Sequence, residues 1–375
     1  MVSYLQRCYE IAIPVVPLIR LLNPQPTLTR PQGRESGDGM NSYKPLLPSA
    51  APAPPHESPL NNHRRQKSME LPFETYDVFT DTPYRGNPLA VVTIPVTIPA
   101  PPTQAQKQAV AREFNLSETI FIHEPASPSS VRHVDIFVTN AEIPFAGHPT
   151  IGTAVSLLGA GVDTLVTKAG PIPVASTGGG GGARATIPHN VHLHAKRLRD
   201  LSSPAHLEGL SDVPAVRAAE LDAPVYSIVR GMSFILIELP SLAVLAQATE
   251  SRFTGPVAEL LDDGWRAGLC CRFYYVRTGG GADDDGTEVV TLRTRMIDAL
   301  CEDPATGSAS AALCCYLGAA SGGQKTSRRR YELTQGVEMG RESNIVVHVT
   351  MKGNAIDEVH LSGKAVKVMK GTLII

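Results

Sequence analysis

A short pattern occurs twice in this chain of 375 residues, and it constrains the fold more than any other feature. Residues 148–154 (HPTIGTA) and 303–309 (DPATGSA) share a titratable residue, a proline, two further residues, a glycine, a small hydroxyl residue and an alanine. A chain of this length usually forms more than one hydrophobic core. The repeat therefore predicts two similar domains, over residues 69–195 and 196–375, with the boundary where the apolar pattern loosens. In an alternative arrangement the last strand of the chain returns to the first domain.

Each copy of the pattern predicts a connection from a strand to a helix. Proline costs nothing in the first turn of a helix, and it favours extended backbone at the residue before it. His148 and Asp303 are therefore expected at the N-cap or just before it, where free backbone N–H groups and the helix dipole form an anion site. If the two domains are related by a pseudo-two-fold axis, both helix starts can face one cleft.

The glycines and hydroxyl residues of the repeat support a ligand site at these helix starts. Gly152 and Gly307 let backbone or ligand approach closely. Thr153 and Ser308 add a hydroxyl in the first turns.

Glu118 is a third candidate for chemistry. Residues 103–114 predict an amphipathic helix that is capped by Thr103 and ends at Asn115, and residues 119–123 predict a strand. Glu118 lies between them, and loops at strand ends often carry function. Each candidate has an ordinary alternative, since Asp303 can be a simple N-cap, His148 a structural histidine and Glu118 a solvated carboxylate. The repetition of the whole pattern favours a site, because capping alone does not require it.

Composition narrows the function classes. Hydrophobic residues make up 42% of the chain and charged residues 19%, and the net charge is −2. Such a chain has no general attraction to nucleic acid or to an anionic membrane. The six cysteines have neither disulfide-framework nor zinc-ligand spacing, which favours a reducing, cytoplasmic location. The apolar run over residues 11–22 is too short to span a bilayer.

Residues 1–68 predict a disordered N-terminal extension. Pro, Ser, Asn and Arg dominate there, and the apolar residues follow no helical or strand period. An incorrectly assigned start of the chain would give the same composition. An organelle-targeting segment is the functional alternative, although its acidic residues argue against it.

Three weaker signals have ordinary interpretations. His189, His192 and His194 suggest a metal site, and His192 and His194 would share one strand face, but no third ligand is evident, so surface histidines are favoured and no metal is expected. Residues 283–285 (DDD) lack the spacing of a calcium loop and are typical of a hairpin tip. Residues 328–330 (RRR) favour a solvated loop over an RNA site.

Five motifs in order resemble the phenazine-biosynthesis PhzF-like proteins, which have the diaminopimelate epimerase-like fold. They are residues 86–92 (GNPLAVV), 115–119 (NLSET), 144–154 (PFAGHPTIGTA), 302–309 (EDPATGSA) and 335–341 (QGVEMGR). The resemblance runs from about residue 73 to residue 373. It implies an α+β fold of two pseudo-symmetric domains, each a β-barrel-like sheet around a central helix, with the active site between them.

The same resemblance implies a mechanism and a set of site residues. Glu118 falls on the family's general acid/base, and His148 and Asp303 fall on its other two catalytic positions. The residues expected to bind substrate are Gly147, Gly307, Ser308, Asn87 and Ser117. No cofactor is expected. Family members are often dimers, so a homodimer is expected as well.

The function predicted from these residues is a cofactor-independent isomerase that transfers a proton at a carbon of a small carboxylate-bearing metabolite. Epimerase relatives use two thiols at the helix starts, but this chain has His148 and Asp303 there, so a two-thiol mechanism is not expected. The alternative is a non-catalytic protein that retains the cleft to bind a metabolite or a protein partner.

Overall fold

The computed structural model describes residues 68–178, 180–249, 253–298, 301–321 and 327–375. The predicted N-terminal extension, apart from its last residue, lies outside these ranges. No helix in them is both long enough and apolar enough to cross a membrane.

Seventeen strands and five α-helices form the described part of the chain. The strands are β1 (Glu70–Val78), β2 (Asn87–Ile94), β3 (Thr119–His123), β4 (Val131–Phe137), β5 (Glu142–Ile143), β6 (Thr164–Thr167), β7 (Gly170–Ser176), β8 (Gly182–Thr186), β9 (His192–Leu193), β10 (Val225–Val229), β11 (Met232–Glu238), β12 (Leu269–Ala282), β13 (Glu288–Asp298), β14 (Cys301–Asp303), β15 (Ser327–Gln335), β16 (Ser343–Lys352) and β17 (Ala355–Ile374). The helices are α1 (Gln104–Phe114), α2 (Gly147–Ser156), α3 (Pro214–Asp222), α4 (Leu242–Leu245) and α5 (Gly307–Ala320). Short 3₁₀ helices cover Leu198–Asp200, Pro204–Leu207 and Val257–Leu260.

Seven strands from the first half of the chain, together with the C-terminal strand β17, form a closed barrel of eight strands. Its strands pair in the order β1-β2-β3-β4-β6-β7-β8-β17, and β17 returns to pair with β1. Closure leaves this sheet without an unpaired edge. Helix α2 packs inside the barrel, with Ile151 and Ala154 buried among the strand side chains.

The second half repeats this arrangement as a curved sheet. Its strands pair in the order β9-β10-β11-β12-β13-β15-β16-β17, and the sheet wraps around α5. Helix α5 consists largely of small residues, and Ala309, Ala311 and Ala312 are fully buried or nearly so. Small side chains let the surrounding strands approach the helix closely, so α5 can be buried on nearly all sides.

The two halves share one topology. In the first, β2 runs parallel to β3 and β4 runs parallel to β6, and in the second, β11 runs parallel to β12 and β13 runs parallel to β15. A short antiparallel strand, β5 or β14, leads towards the central helix in each. The predicted fold class is therefore confirmed. The division at residue 195 stays a prediction, because β17 pairs within both sheets and one hydrophobic cluster contacts both central helices.

Local sequence signals account well for α1. Thr103 caps its N-terminus in a reciprocal capping box with Gln106. Asn115 ends it in the left-handed conformation, with φ at 54°. Both predicted ends are confirmed. The predicted loop over residues 328–330 is wrong, because these arginines lie in β15, between β13 and β16.

Candidate active site

The two central helices start against each other. Helix α2 begins at Gly147 and α5 begins at Gly307. A methyl group on Gly147 would lie 3.0 Å from both the carbonyl carbon of Gly307 and the backbone nitrogen of Ser308. A methyl group on Gly307 would lie 2.8 Å from Leu361 Cδ2 and 3.3 Å from the Gly147 backbone. Glycine at both positions is therefore what lets the helix starts come this close.

Both first turns offer backbone N–H groups at this junction. The N-cap residues Ala146 and Thr306 make no side-chain hydrogen bond that caps their helices. The helical hydrogen bonds begin with Thr150 N–H to the Ala146 carbonyl and Ser310 N–H to the Thr306 carbonyl. The N–H groups that precede them, together with the positive ends of two helix dipoles, favour an anion such as a carboxylate.

Glu118 and His148 form a buried ion pair beside this junction. The left-handed conformation of Asn115 ends α1, and Glu118 lies immediately before β3. His148 Nδ1 lies 3.1 Å from Glu118 Oε2, and the two side chains are only 3% and 9% exposed. Burial acts to lower the pKa of His148, but the charges of Glu118 and Asp303 favour the imidazolium and its pKa is raised overall. A protonated His148 in turn stabilises the Glu118 carboxylate.

Asp303 at the end of β14 is the third titratable group. Asn87 Nδ2 donates a hydrogen bond to its Oδ1 at 2.8 Å, and Thr306 Oγ1 donates to its Oδ2 at 2.5 Å. Burial, followed by the negative charge of Glu118, raises the pKa of Asp303 to about 7, although the two hydrogen bonds and His148 act in the opposite direction. Asp303 can therefore hold or release a proton near neutral pH.

Two buried amides hold Asp303 in place. Asn87 is 1% exposed, and its amide also donates to the Ala305 carbonyl at 2.9 Å and accepts from Ser117 Oγ at 3.3 Å. Gln335 is fully buried and donates to the Asp303 carbonyl at 2.8 Å. The sequence placed Gln335 in a family motif without a role. Asn87 contacts Asp303 and does not line the cavity described below, and its binding of substrate stays a prediction.

A cavity of about 800 Å³ opens at this junction. Its wall contains every predicted site residue except Asn87, namely Ser117, Glu118, Gly147, His148, Asp303, Gly307 and Ser308. Much of the remaining wall is apolar and includes Phe145, Met232 and Phe234. An apolar wall excludes water and strengthens the electrostatic interactions of a bound anion.

Two further residues of the wall were missed by the sequence analysis. The Arg230 guanidinium lies over the ring of Trp265, 5.6 Å from its centroid, and both residues line the cavity. Trp265 is the only tryptophan of the chain, which was an available signal. Nothing in the sequence near Arg230 marks it, because the turn between β10 and β11 brings it to the cavity only in the folded chain. An exposed cation at the cavity wall suits a carboxylate-bearing ligand.

The structure corrects two details of the repeated pattern. His148 is the second residue of α2, and Asp303 precedes the Thr306 N-cap of α5, so neither residue is itself an N-cap. The glycines that meet are Gly147 and Gly307, whereas a methyl group on Gly152 would strike Leu89 and Val78 inside the barrel.

The two hydroxyl residues of the repeat also lie in different surroundings. Thr153 is fully buried inside the first barrel, whereas Ser308 lines the cavity. His148 and Ser308 are therefore the equivalent positions, because His148 is the second residue of α2 and Ser308 is the second residue of α5.

The histidine cluster has an explanation without a metal. His194 is 4% exposed, so the expectation of surface histidines is wrong for it. Its Nδ1 accepts a hydrogen bond from the Asp262 N–H, and its Nε2 pairs with Ser227 Oγ at 2.8 Å. His192 Nε2 lies 2.8 Å from Asp262 Oδ2 and its ring stacks on Trp265. The expectation that no third ligand is present is also wrong, because ligand atoms of His192, His194 and Asp262 lie within 4.8 Å of one another. Both ring nitrogens of His194, however, already form hydrogen bonds.

The fold and the paired helix starts define a protein of the diaminopimelate epimerase-like fold class. Within it, the chain belongs to the phenazine biosynthesis-like protein family, whose model matches residues 76–371. The crystal structure of a PhzF-family phenazine biosynthesis protein from Bacillus anthracis superposes with a TM-score of 0.59 at 20% identity, covering 82% of this chain and all of that one. The resemblance predicted from the five motifs is confirmed.

Named relatives give the enzyme class. An uncharacterized isomerase of Mesorhizobium japonicum is 32% identical over 80% of this chain and 97% of its own length. The trans-2,3-dihydro-3-hydroxyanthranilate isomerase of Pseudomonas chlororaphis is 29% identical over 80% of this chain and 98% of its own. The predicted class, an isomerase of the PhzF type, is confirmed by these relatives.

Proposed function

We propose that this protein is a cofactor-independent isomerase that transfers a proton between carbons of a small carboxylate-bearing metabolite, with Glu118 as the general acid/base. The observation that carries the proposal is the buried Glu118–His148 pair, which faces the same cavity as Asp303 and the two helix starts. The name of the Pseudomonas relative, an isomerase of a hydroxyanthranilate, supports this substrate class.

The helix starts orient the substrate. Its carboxylate accepts hydrogen bonds from the N–H groups around Gly147 and Gly307, where the helix dipoles favour negative charge. The apolar side chains of the cavity wall contact the carbon skeleton of the substrate, and Arg230, which also lines the wall, binds a second polar group of the substrate. This arrangement directs the acidic carbon towards Glu118.

The proton transfer uses the three titratable groups together. Glu118 removes the proton from carbon, and the electron pair moves into a conjugated, enolate-like system. Asp303, whose pKa of about 7 keeps it partly protonated at neutral pH, donates a hydrogen bond to the developing negative charge. Protonated Glu118 then returns the proton to a different carbon, so the product has the same atoms as the substrate. His148 orients Glu118 and stabilises its ionised form before and after transfer.

Deuterium incorporation tests this mechanism. The protein is incubated in D₂O with trans-2,3-dihydro-3-hydroxyanthranilate and with a panel of small unsaturated carboxylates, and carbon-bound deuterium is followed by NMR. Glu118→Gln should reduce incorporation by about 10²- to 10⁴-fold, which is the usual contribution of a general acid/base. Glu238→Gln is the matched control, because Glu238 pairs with Arg277 and Tyr275 and does not line the cavity.

Two outcomes of this experiment would count against the proposal. Undiminished incorporation by Glu118→Gln would exclude Glu118 as the base. Tight binding of a carboxylate by the unchanged protein, with neither an isomerised product nor carbon-bound deuterium in the NMR spectra, would favour the non-catalytic, metabolite-binding alternative.

A further inference from the structure

A cluster of basic side chains lies on the outer face of strands β8, β15, β16 and β17. Arg330 is paired with His348 across the sheet, and His348 is paired with His360. In the next row, Ser362 is paired with Arg184. The residues that alternate with them are buried: Tyr331, Val347, Val359, Leu361, Ala183 and Ala185. Because side chains alternate between the faces of a sheet, the basic residues share the outer face.

A second cleft, of about 660 Å³, opens on this face. We call it the basic cleft, because three cationic side chains line it, Arg184, Arg330 and Lys364, against one carboxylate among the described residues, Asp81. None of the residues that line it also lines the active-site cavity. The two sites are therefore separate.

Positive charge exceeds negative charge around the basic cleft. Three groups there have an acidic partner: Lys364 with Asp81, Arg330 with Glu332, and His360 with Glu358. Over the ranges that the structure covers, neither Arg184 nor Arg328 has a carboxylate within ion-pair distance, and both are exposed. Of these two, Arg184 lines the basic cleft and can balance the charge of a bound anion, and Arg328 adds positive charge near His348.

Two buried donor or acceptor atoms at the basic cleft lack a partner. Arg330 Nε and His348 Nδ1 are buried and form no hydrogen bond to any residue that the structure describes. Both atoms are therefore available to contact a ligand that enters the basic cleft. Burial, and then the positive charges of Arg330, His360, Arg328 and Arg184, lower the pKa of His348 to about 4. A neutral imidazole at physiological pH therefore sits in a positive field.

From these observations we propose that the basic cleft binds a small, phosphate-bearing anion. Guanidinium groups present paired N–H donors that match phosphate oxygens, and the hydroxyls of Thr80, Ser176 and Thr177 supply further donors. Arg184, Arg330 and Lys364 suit an anion that carries two or more charges. The volume of the cleft fits a small molecule, and the net charge of −2 does not favour a nucleic acid polymer.

Pyrophosphate is the probe for this site. Binding to the full chain is measured by calorimetry at constant ionic strength, with inorganic phosphate and glycerol 3-phosphate as arms that distinguish free phosphate from a phosphate ester. Arg184→Gln and Arg330→Gln should each weaken binding about tenfold or more, since a hydrogen bond to a charged group contributes about 1.5–3 kcal/mol. Arg199→Gln is the matched control, because Arg199 pairs with the exposed Asp222 outside both sites.

A second measurement guards against variants that fold poorly. In the unchanged protein, pyrophosphate should raise the pKa of His348, seen as a shifted titration of its imidazole NMR signal, because a nearby anion favours the charged form. Glu118→Gln should leave pyrophosphate binding unchanged. The proposal is overturned if binding does not saturate, if citrate at equal ionic strength binds as tightly as pyrophosphate, or if the control variant weakens binding as much as Arg184→Gln.

Discussion

Asp303 is expected to make the protein less stable as the pH rises. In the folded chain its pKa is raised from 3.8 to about 7, mainly by burial and then by the charge of Glu118. The unfolded chain releases this proton at lower pH than the folded chain does. Folding is therefore penalised progressively from pH 3.8 to about pH 7, and the penalty is complete above that range. At about 1.4 kcal/mol for each pKa unit, the loss between pH 5 and pH 8 is roughly 3 kcal/mol.

Asp303→Asn isolates this effect, because asparagine has nearly the same shape and cannot ionise. Urea unfolding of both proteins at pH 5 and pH 8 gives the difference in their free energies of unfolding at each pH. That difference should move in favour of the variant by roughly 3 kcal/mol at the higher pH. The shift should be smaller in a Glu118→Gln background, which lacks one of the charges that raise the pKa of Asp303. A shift below about 0.5 kcal/mol would refute the argument, since it corresponds to less than half a pKa unit.

Two further predictions concern the junction and the cavity wall. Gly147→Ala should lower the free energy of unfolding by about 1–3 kcal/mol, because the added methyl group would strike the backbone of α5. Gly281 has open space around it, so the control Gly281→Ala should change stability little. Equal effects of the two substitutions on chemical denaturation would contradict the close approach of the helix starts. If Arg230 only binds substrate, Arg230→Gln should raise KM about tenfold and change kcat less than twofold. Arg266 pairs with Asp263 outside the cavity, so the control Arg266→Gln should change neither constant. A loss confined to kcat would assign Arg230 to the proton transfer.

Local signals in the sequence were enough to predict the main residues of the candidate site. A proline in the first helical turn, a glycine beside it and a titratable neighbour are short-range features, and they located Gly147, His148 and Asp303. The capping residues of α1 likewise predicted where Glu118 emerges. The predicted equivalence of Gly152 and Gly307 was wrong, because the shared sequence pattern does not show at which residue each helix begins. The close approach of Gly147 to Gly307 depends on the packing of two sheets.

Features that depend on long-range pairing were missed. The three arginines in β15 concealed the alternation of Tyr331 and Leu333, and the strand forms because β13 and β16 pair with it on either side. Arg230 reaches the cavity through a turn that has no distinctive composition. The homodimer, the cytoplasmic location and the boundary at residue 195 stay predictions, because they concern neighbours, surroundings and independent folding.

The 20-residue strand β17 has a consequence for how the chain is made. The ribosome completes β1 to β8 before residue 187, yet residues 355–374 must still emerge before the first barrel can close. Until then, β1 and β8 each present an open edge whose backbone groups can pair with another chain. The first half therefore cannot reach its final form during its own synthesis. A fragment that ends before β17 should expose both edges and aggregate.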